Sequence, residues 1–250
     1  TQHVPTLLRL GTVEYELGDT DAAEQHLRKA LAIDPSQSKA RVLLSRLISE
    51  RDTPMLAERL LDDTPRLLRN DPDILAERAR LSHIQNRPLG ALENLVRLVR
   101  ETPEDGKAWL QLARIYEQQD NQREAGDAFI QAARYRPDDA LFGSIVARGL
   151  QRTGHPQRAE TLAAELEATY PGNDDLTLLR GWLLEQKGAA QDALTLYATL
   201  LEEKDAFGAL IAQTRLESEL GQTDLAVQRT REWEARQQNL AVLSIARAQY

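Results

Sequence analysis

Cysteine is absent from the 250 residues, so disulfides and thiolate metal sites are excluded. That absence fits an oxidising and a reducing compartment equally. No run of about 18 apolar residues occurs, which excludes direct membrane insertion by a helix of this segment. Positive charge is in deficit, with 31 Lys and Arg against 39 Asp and Glu and a formal charge of −8. General nucleic-acid binding, which leans on basic surfaces, is therefore not expected. Lysine is scarce at 5 residues against 26 arginines, a bias that points to a GC-rich bacterial source. No secretory leader is visible. Thr1 is not methionine and the regular pattern begins almost at once, so the chain reads as a piece of a longer protein.

Chemistry-bearing patterns are missing as well. His3, His26, His83 and His155 have no partner at metal-ligand spacing. No serine sits in a nucleophile elbow, and Gly11, Gly18 and Gly154 are isolated turn or packing glycines with no phosphate loop. Acidic pairs such as Glu202–Glu203 read as a solvated face. The expectation is a non-enzyme with no catalytic residues, no metal and no cofactor.

What is present is a period. Shifted by 34 residues, the chain falls into register with itself. The blocks run 4–37, 38–71, 72–105, 106–139, 140–173, 174–206 and 207–238, with a partial block at 239–250. In the fourth block, Trp109, Leu112, Ala113 and Tyr116 share one helical face, and Ala125, Phe129, Ala132 and Ala133 share another. One slot holds Ala23, Ala57, Ala91, Ala125, Ala159, Ala193 and Ala226. A slot that admits only a small side chain marks a close helix crossing. A second small slot holds Gly11, Ser45, Ala79, Ala113, Ala147, Gly181 and Thr214. Pro35, Pro103, Pro137 and Pro171 close four blocks.

This pattern resembles the tetratricopeptide repeat family from Val4 to the end of the chain. The fourth block carries it in full through Trp109, Leu112, Ala113, Tyr116, Ala125, Phe129, Ala132 and Pro137. The resemblance implies an all-α, right-handed α-solenoid of antiparallel helix pairs, in one array spanning residues 1–250. A lone hairpin cannot bury its apolar stripe, so each needs a neighbour. Asp21 or Thr20 is expected to cap the second helix of the first block. Pro54 and Pro88 suit first helical turns. The second helix of the second block spans 54–69, but Thr64–Pro65 predicts a kink or an early end within it. In the first helix of the same block Arg41 stands where a bulky apolar residue is usual. Arg78, Arg180 and Gln213 replace leucine later, which suggests looser packing at those joints. Val242, Leu243, Ile245 and Ala246 read as the first helix of an eighth repeat with no cap after it. An open last face allows end-to-end self-association.

One column carries the functional expectation. Directly after the second small slot come Arg46, Arg80, Arg114, Arg148 and Arg215, with Trp182 and Thr12 as exceptions and Arg247 in the partial block. In the family this slot faces the concave groove. The resemblance therefore implies an arginine ladder, with His83 beside it and apolar ground from Leu110 and Leu178. Such a groove suits a protein or peptide partner with acidic and apolar residues, because a guanidinium holds carboxylates bidentately. The competing reading is structural, through pairs such as Arg46 with Glu50 and Arg215 with Glu219, or with acids of the next repeat. The expected function is a non-catalytic interaction scaffold. The alternative is the periplasmic repeat region of a bacterial exopolysaccharide-export machine that docks other export or modifying proteins. The chain is similar to such regions, and that likeness favours periplasm over cytoplasm.

Overall fold

The computed structural model describes residues 3–51, 53–136 and 138–248, with side chains through 238. Among the described residues there are fourteen α-helices and no strand. The fold is an all-α solenoid of antiparallel helix pairs, and it divides into two compact units, Thr1–Pro137 and Asp138–Tyr250. The first holds α1 (Val4–Glu16), α2 (Thr20–Ile33), α3 (Ser38–Arg51), α4 (Pro54–Asp62), α5 (Pro72–Ile84), α6 (Pro88–Glu101), α7 (Gly106–Gln118) and α8 (Gln122–Arg134). The second holds α9 (Ala140–Arg152), α10 (Pro156–Thr169), α11 (Asp174–Gln186), α12 (Ala190–Lys204), α13 (Phe207–Glu219) and α14 (Thr223–Ala248). Within each unit every odd-numbered helix packs on the helix that follows it, and α3, α5, α11 and α13 also pack on both helices of the pair before, as in α3 against α1 and α2. Helix α14 runs on without a turn before Asn239, so its backbone is one long helix there. The side chains of the partial eighth block, Arg247 included, lie outside the described residues.

Two periodic devices set the hairpins. Asp71, Asp105, Asp139 and Asn173 precede α5, α7, α9 and α11, and each side chain accepts a backbone N–H of the first turn. Each such cap stabilises a helix start by about 1 kcal/mol. In the first hairpin Asp19 is the cap of α2, accepting Ala22 N–H at 3.2 Å, rather than Asp21 or Thr20. Thr20 and Asp21 already lie inside the helix, so their side chains cannot reach back. Between paired helices the chain turns through a left-handed residue: Gly18, Asn86, Asp120, Gly154, Gly188 and Gly221 all have positive φ. Glycine, asparagine and aspartate are the residues that tolerate it.

The two small columns form the crossings. All seven alanines of the first column are at most 5 % exposed. In the second column, a Cβ on Gly181 would sit 2.2 Å from the Tyr197 ring. That ring is 1 % exposed, and its hydroxyl donates to Glu185 at 2.6 Å, so it cannot step aside. Gly181→Ala is expected to lower stability by about 1–3 kcal/mol through overpacking. Thermal unfolding monitored by circular dichroism checks this, and an unchanged midpoint would refute the crowding.

The second block shows how a broken helix is repaired. Helix α4 stops at Asp62, and a short 3-10 turn follows at Arg66–Leu68. The early end foreseen at Thr64–Pro65 is therefore present, and 54–69 is not one helix. It leaves the last-turn carbonyls without helical partners. Arg41, buried at 5 % exposure, donates to the Leu60 carbonyl at 2.8 Å and to the Pro35 carbonyl at 3.2 Å. Arg78 donates to the Leu61 carbonyl at 2.6 Å and pairs with Asp62 at 2.9 Å. The two arginines that replace apolar residues thus close the helix end, and the joint at Arg78 is tied rather than loose. Gln213 is also buried and donates to Glu217 at 3.2 Å, whereas Arg180 is exposed and lies 3.8 Å from Glu167.

Candidate binding face

The first helices of Thr1–Pro137 carry Arg46, Arg80 and Arg114 one residue after the crossing positions Ser45, Ala79 and Ala113, and the three have different surroundings. Glu77 sits on α5 between the first two, with its side chain fully buried. It accepts Ser45 Oγ at 2.9 Å, Arg46 Nε at 3.2 Å, Arg80 Nε at 2.9 Å and Arg80 Nη2 at 2.6 Å. Arg80 Nη2 also reaches Ser49 Oγ at 2.8 Å. The Glu77 carboxylate holds the Arg80 guanidinium above its ordinary pKa. The expected Arg46–Glu50 pair does not form. Glu50 instead accepts the Tyr15 hydroxyl at 2.8 Å, and Arg46 turns to the acid of the next repeat.

Arg114 is different. It is exposed and has no ion pair among the described residues. It lies with Arg80 and His83 at a cleft of about 320 Å³ between α5, α6 and α7, floored by Ala79, Ala91, Leu95 and Ile115 and rimmed by Gln111 and Gln118. His83 and Gln118 also border a second, polar cleft with Asn86 and Gln119. A wider hollow of about 600 Å³ lies on α1 and α3, with Leu8, Val13, Val42 and Leu43 as its apolar ground and Arg9, Lys39 and Arg46 around them. Leu110 is 7 % exposed and belongs to the packed interior instead of the open face.

In Asp138–Tyr250 the remaining column members join a compact cluster. The Arg148 guanidinium lies 4.9 Å over the Trp182 ring, and burial lowers its pKa. Arg215 Nη2 donates to both carboxylate oxygens of Glu185 at 2.7 and 2.8 Å, and Nη1 donates to Glu219 at 2.8 Å, as its i,i+4 spacing foretold. Burial and the Glu185 hydrogen bond push the Tyr197 phenol up. Leu178 is partly buried, packed against the α12–α13 core. Sequence reasoning passed over Glu77, Gln111, Glu185 and Tyr197. The slot of Glu77 holds Leu43, Ile145 and Leu179 in other repeats but also Arg9 and Gln111, so the column by itself did not single it out.

Models described as tetratricopeptide repeat match residues 14–81 and 83–149 in one case and 147–209 in another. The chain belongs to the tetratricopeptide repeat family. A structure of PilF from Pseudomonas aeruginosa is 20 % identical, with a TM-score of 0.65 over 86 % of this chain and 97 % of that one. A tetratricopeptide repeat protein from Parabacteroides merdae is 17 % identical, with a TM-score of 0.62 over 93 % and 92 %. The Naa15/Naa10 structure bound to HypK-THB is 14 % identical, with a TM-score of 0.55, and 94 % of this chain covers 37 % of that one. At such identities the likeness shows the fold. No curated protein matches the chain. Seen as tetratricopeptide repeats, the seven helix pairs explain why the arginine column recurs on first helices only. The clusters around Glu77 and Glu185 are what individual repeats added to it.

Proposed function

We propose that this chain is a non-catalytic scaffold that holds a partner polypeptide against the first helices of Thr1–Pro137. One observation carries the reading: the clefts on that face combine an apolar floor with a guanidinium rim. Such a surface desolvates apolar side chains while offering charge-assisted hydrogen bonds to acidic ones. Tetratricopeptide repeat proteins are generally non-catalytic scaffolds, which agrees. The export-machine alternative names a setting for the same scaffold and adds no residue to the face.

A random-sequence decapeptide array probed with the labelled protein tests this. Val13 and Gln118 line the two apolar clefts and are exposed. The double variant Val13→Glu/Gln118→Glu is expected to lose at least about tenfold in affinity for bound peptides, equal to about 1.4 kcal/mol. A control, Met55→Glu/Leu89→Glu, alters exposed residues of second helices and should bind like wild type. Equal loss in both variants, or no peptide bound by wild type, would overturn the reading.

A further inference from the structure

The column shows by its own contacts how it takes a carboxylate. Glu77 meets Arg80 from three residues earlier on the same helix. Glu185 meets Arg215 from the first helix of the preceding repeat, three residues past that repeat's own column member, Trp182. For Arg114 the same two positions are Gln111, three residues earlier, and His83, three residues past Arg80. Neither is a carboxylate, and both line the cleft that Arg114 borders. The repeat geometry therefore reproduces the acceptor position twice without supplying the acceptor. The floor beneath it, Ala79, Ala91, Leu95 and Ile115, is apolar.

We infer that the Arg114 cleft is the site for one external carboxylate, the Asp or Glu side chain of a partner segment, with an adjacent aliphatic side chain of the same segment in the cleft. This rests on the scaffold reading and specifies where the partner is anchored. Charge complementarity selects the occupant. Arg114 has no counter-ion among the described residues, Arg80 beside it directs Nε and Nη2 to Glu77, and Gln111 can donate to the incoming carboxylate without competing for it. An amide at position 111 is compatible with an external acid, whereas an acid there would repel it. The remaining arginines of the described column have their partners in Glu77, Trp182, Glu185 and Glu219. Among the described residues the column thus carries one arginine without an internal partner and not a continuous ladder.

The decisive variant is Gln111→Glu, which restores the internal carboxylate that Arg80 has in Glu77. It keeps the side-chain volume and lies on an exposed position of α7, so the fold is retained. On the decapeptide array, wild-type protein is expected to select sequences with Asp or Glu next to Leu, Ile, Val or Met. Gln111→Glu should lose that acidic preference and bind those peptides at least about tenfold more weakly. Titration of amide-labelled protein with N-acetyl-leucyl-glutamate amide should shift the signals of Arg114, His83 and Leu95, and the isosteric leucyl-glutamine compound should not. If Gln111→Glu keeps the acidic preference while Val13→Glu/Gln118→Glu loses binding, the scaffold survives and this anchor is wrong. If both dipeptides shift the same signals equally, the carboxylate has no part in recognition and the inference fails.

Discussion

Replacing Phe129 by alanine is expected to cost about 3–5 kcal/mol, the largest loss for any single truncation in Thr1–Pro137. Phe129 is wholly buried on α8, in the column that also holds Leu27, Leu61 and Leu95, each at most 2 % exposed. It is the largest side chain of that set. Its removal takes away the apolar area it buries and leaves a hole that the neighbouring helices fill only in part. A repeat stack is held by nearest-neighbour interfaces, so unfolding of the whole chain need not be a single step. Amide hydrogen exchange is the suitable measurement. Protection in α7 and α8 should fall by the full amount. The control Leu141→Ala, at a residue 57 % exposed, should change protection by less than about 0.5 kcal/mol. A loss below about 1 kcal/mol for Phe129→Ala would mean that the repeat closes the cavity.

The second large effect is expected at Glu77. Its buried carboxylate is the shared acceptor of Ser45, Arg46 and Arg80. Breaking a buried ion pair costs about 3–5 kcal/mol when the partner charge stays buried. Here the Arg46 and Arg80 side chains are 45 % and 32 % exposed and can turn to water, which reduces the loss. We expect Glu77→Ala to destabilise by about 2 kcal/mol. Glu77→Leu should recover about half of that, because the equivalent positions Leu43 and Leu179 show that leucine fits the slot. Urea unfolding at neutral pH gives both values. Were the alanine variant as stable as wild type, the network would be a surface arrangement without weight. Should the leucine variant be the weaker of the two, the slot would be demanding charge and not volume.

These two residues also mark the line between what could be read early and what could not. Phe129 was legible because its role is periodic. Helix pairs of fixed length repeat a fixed set of burial positions, and a side chain three or four residues from its neighbours must face the same way. The same logic exposed the alanine column, and Pro65 exposed the early end of α4. Glu77 was not legible, because its partners, Ser45 and Arg46, lie 32 and 31 residues away, on a helix in the preceding repeat. Which of two acids a guanidinium reaches depends on rotamers and on the tilt between helices. That is why Arg46 passes over Glu50, one turn along its own helix, for Glu77.

The amino-acid order by itself determined the repeat, the helix pairs and the family, since each follows from short-range spacing and from where proline and alanine fall. Only the tertiary structure decided which arginines of the described column are spent on internal acids and that Arg114 is left without one. Pairs within one helix, such as Arg215 with Glu219, follow from spacing, whereas ion pairing between repeats is settled by distances of a few ångströms that spacing along the chain does not encode.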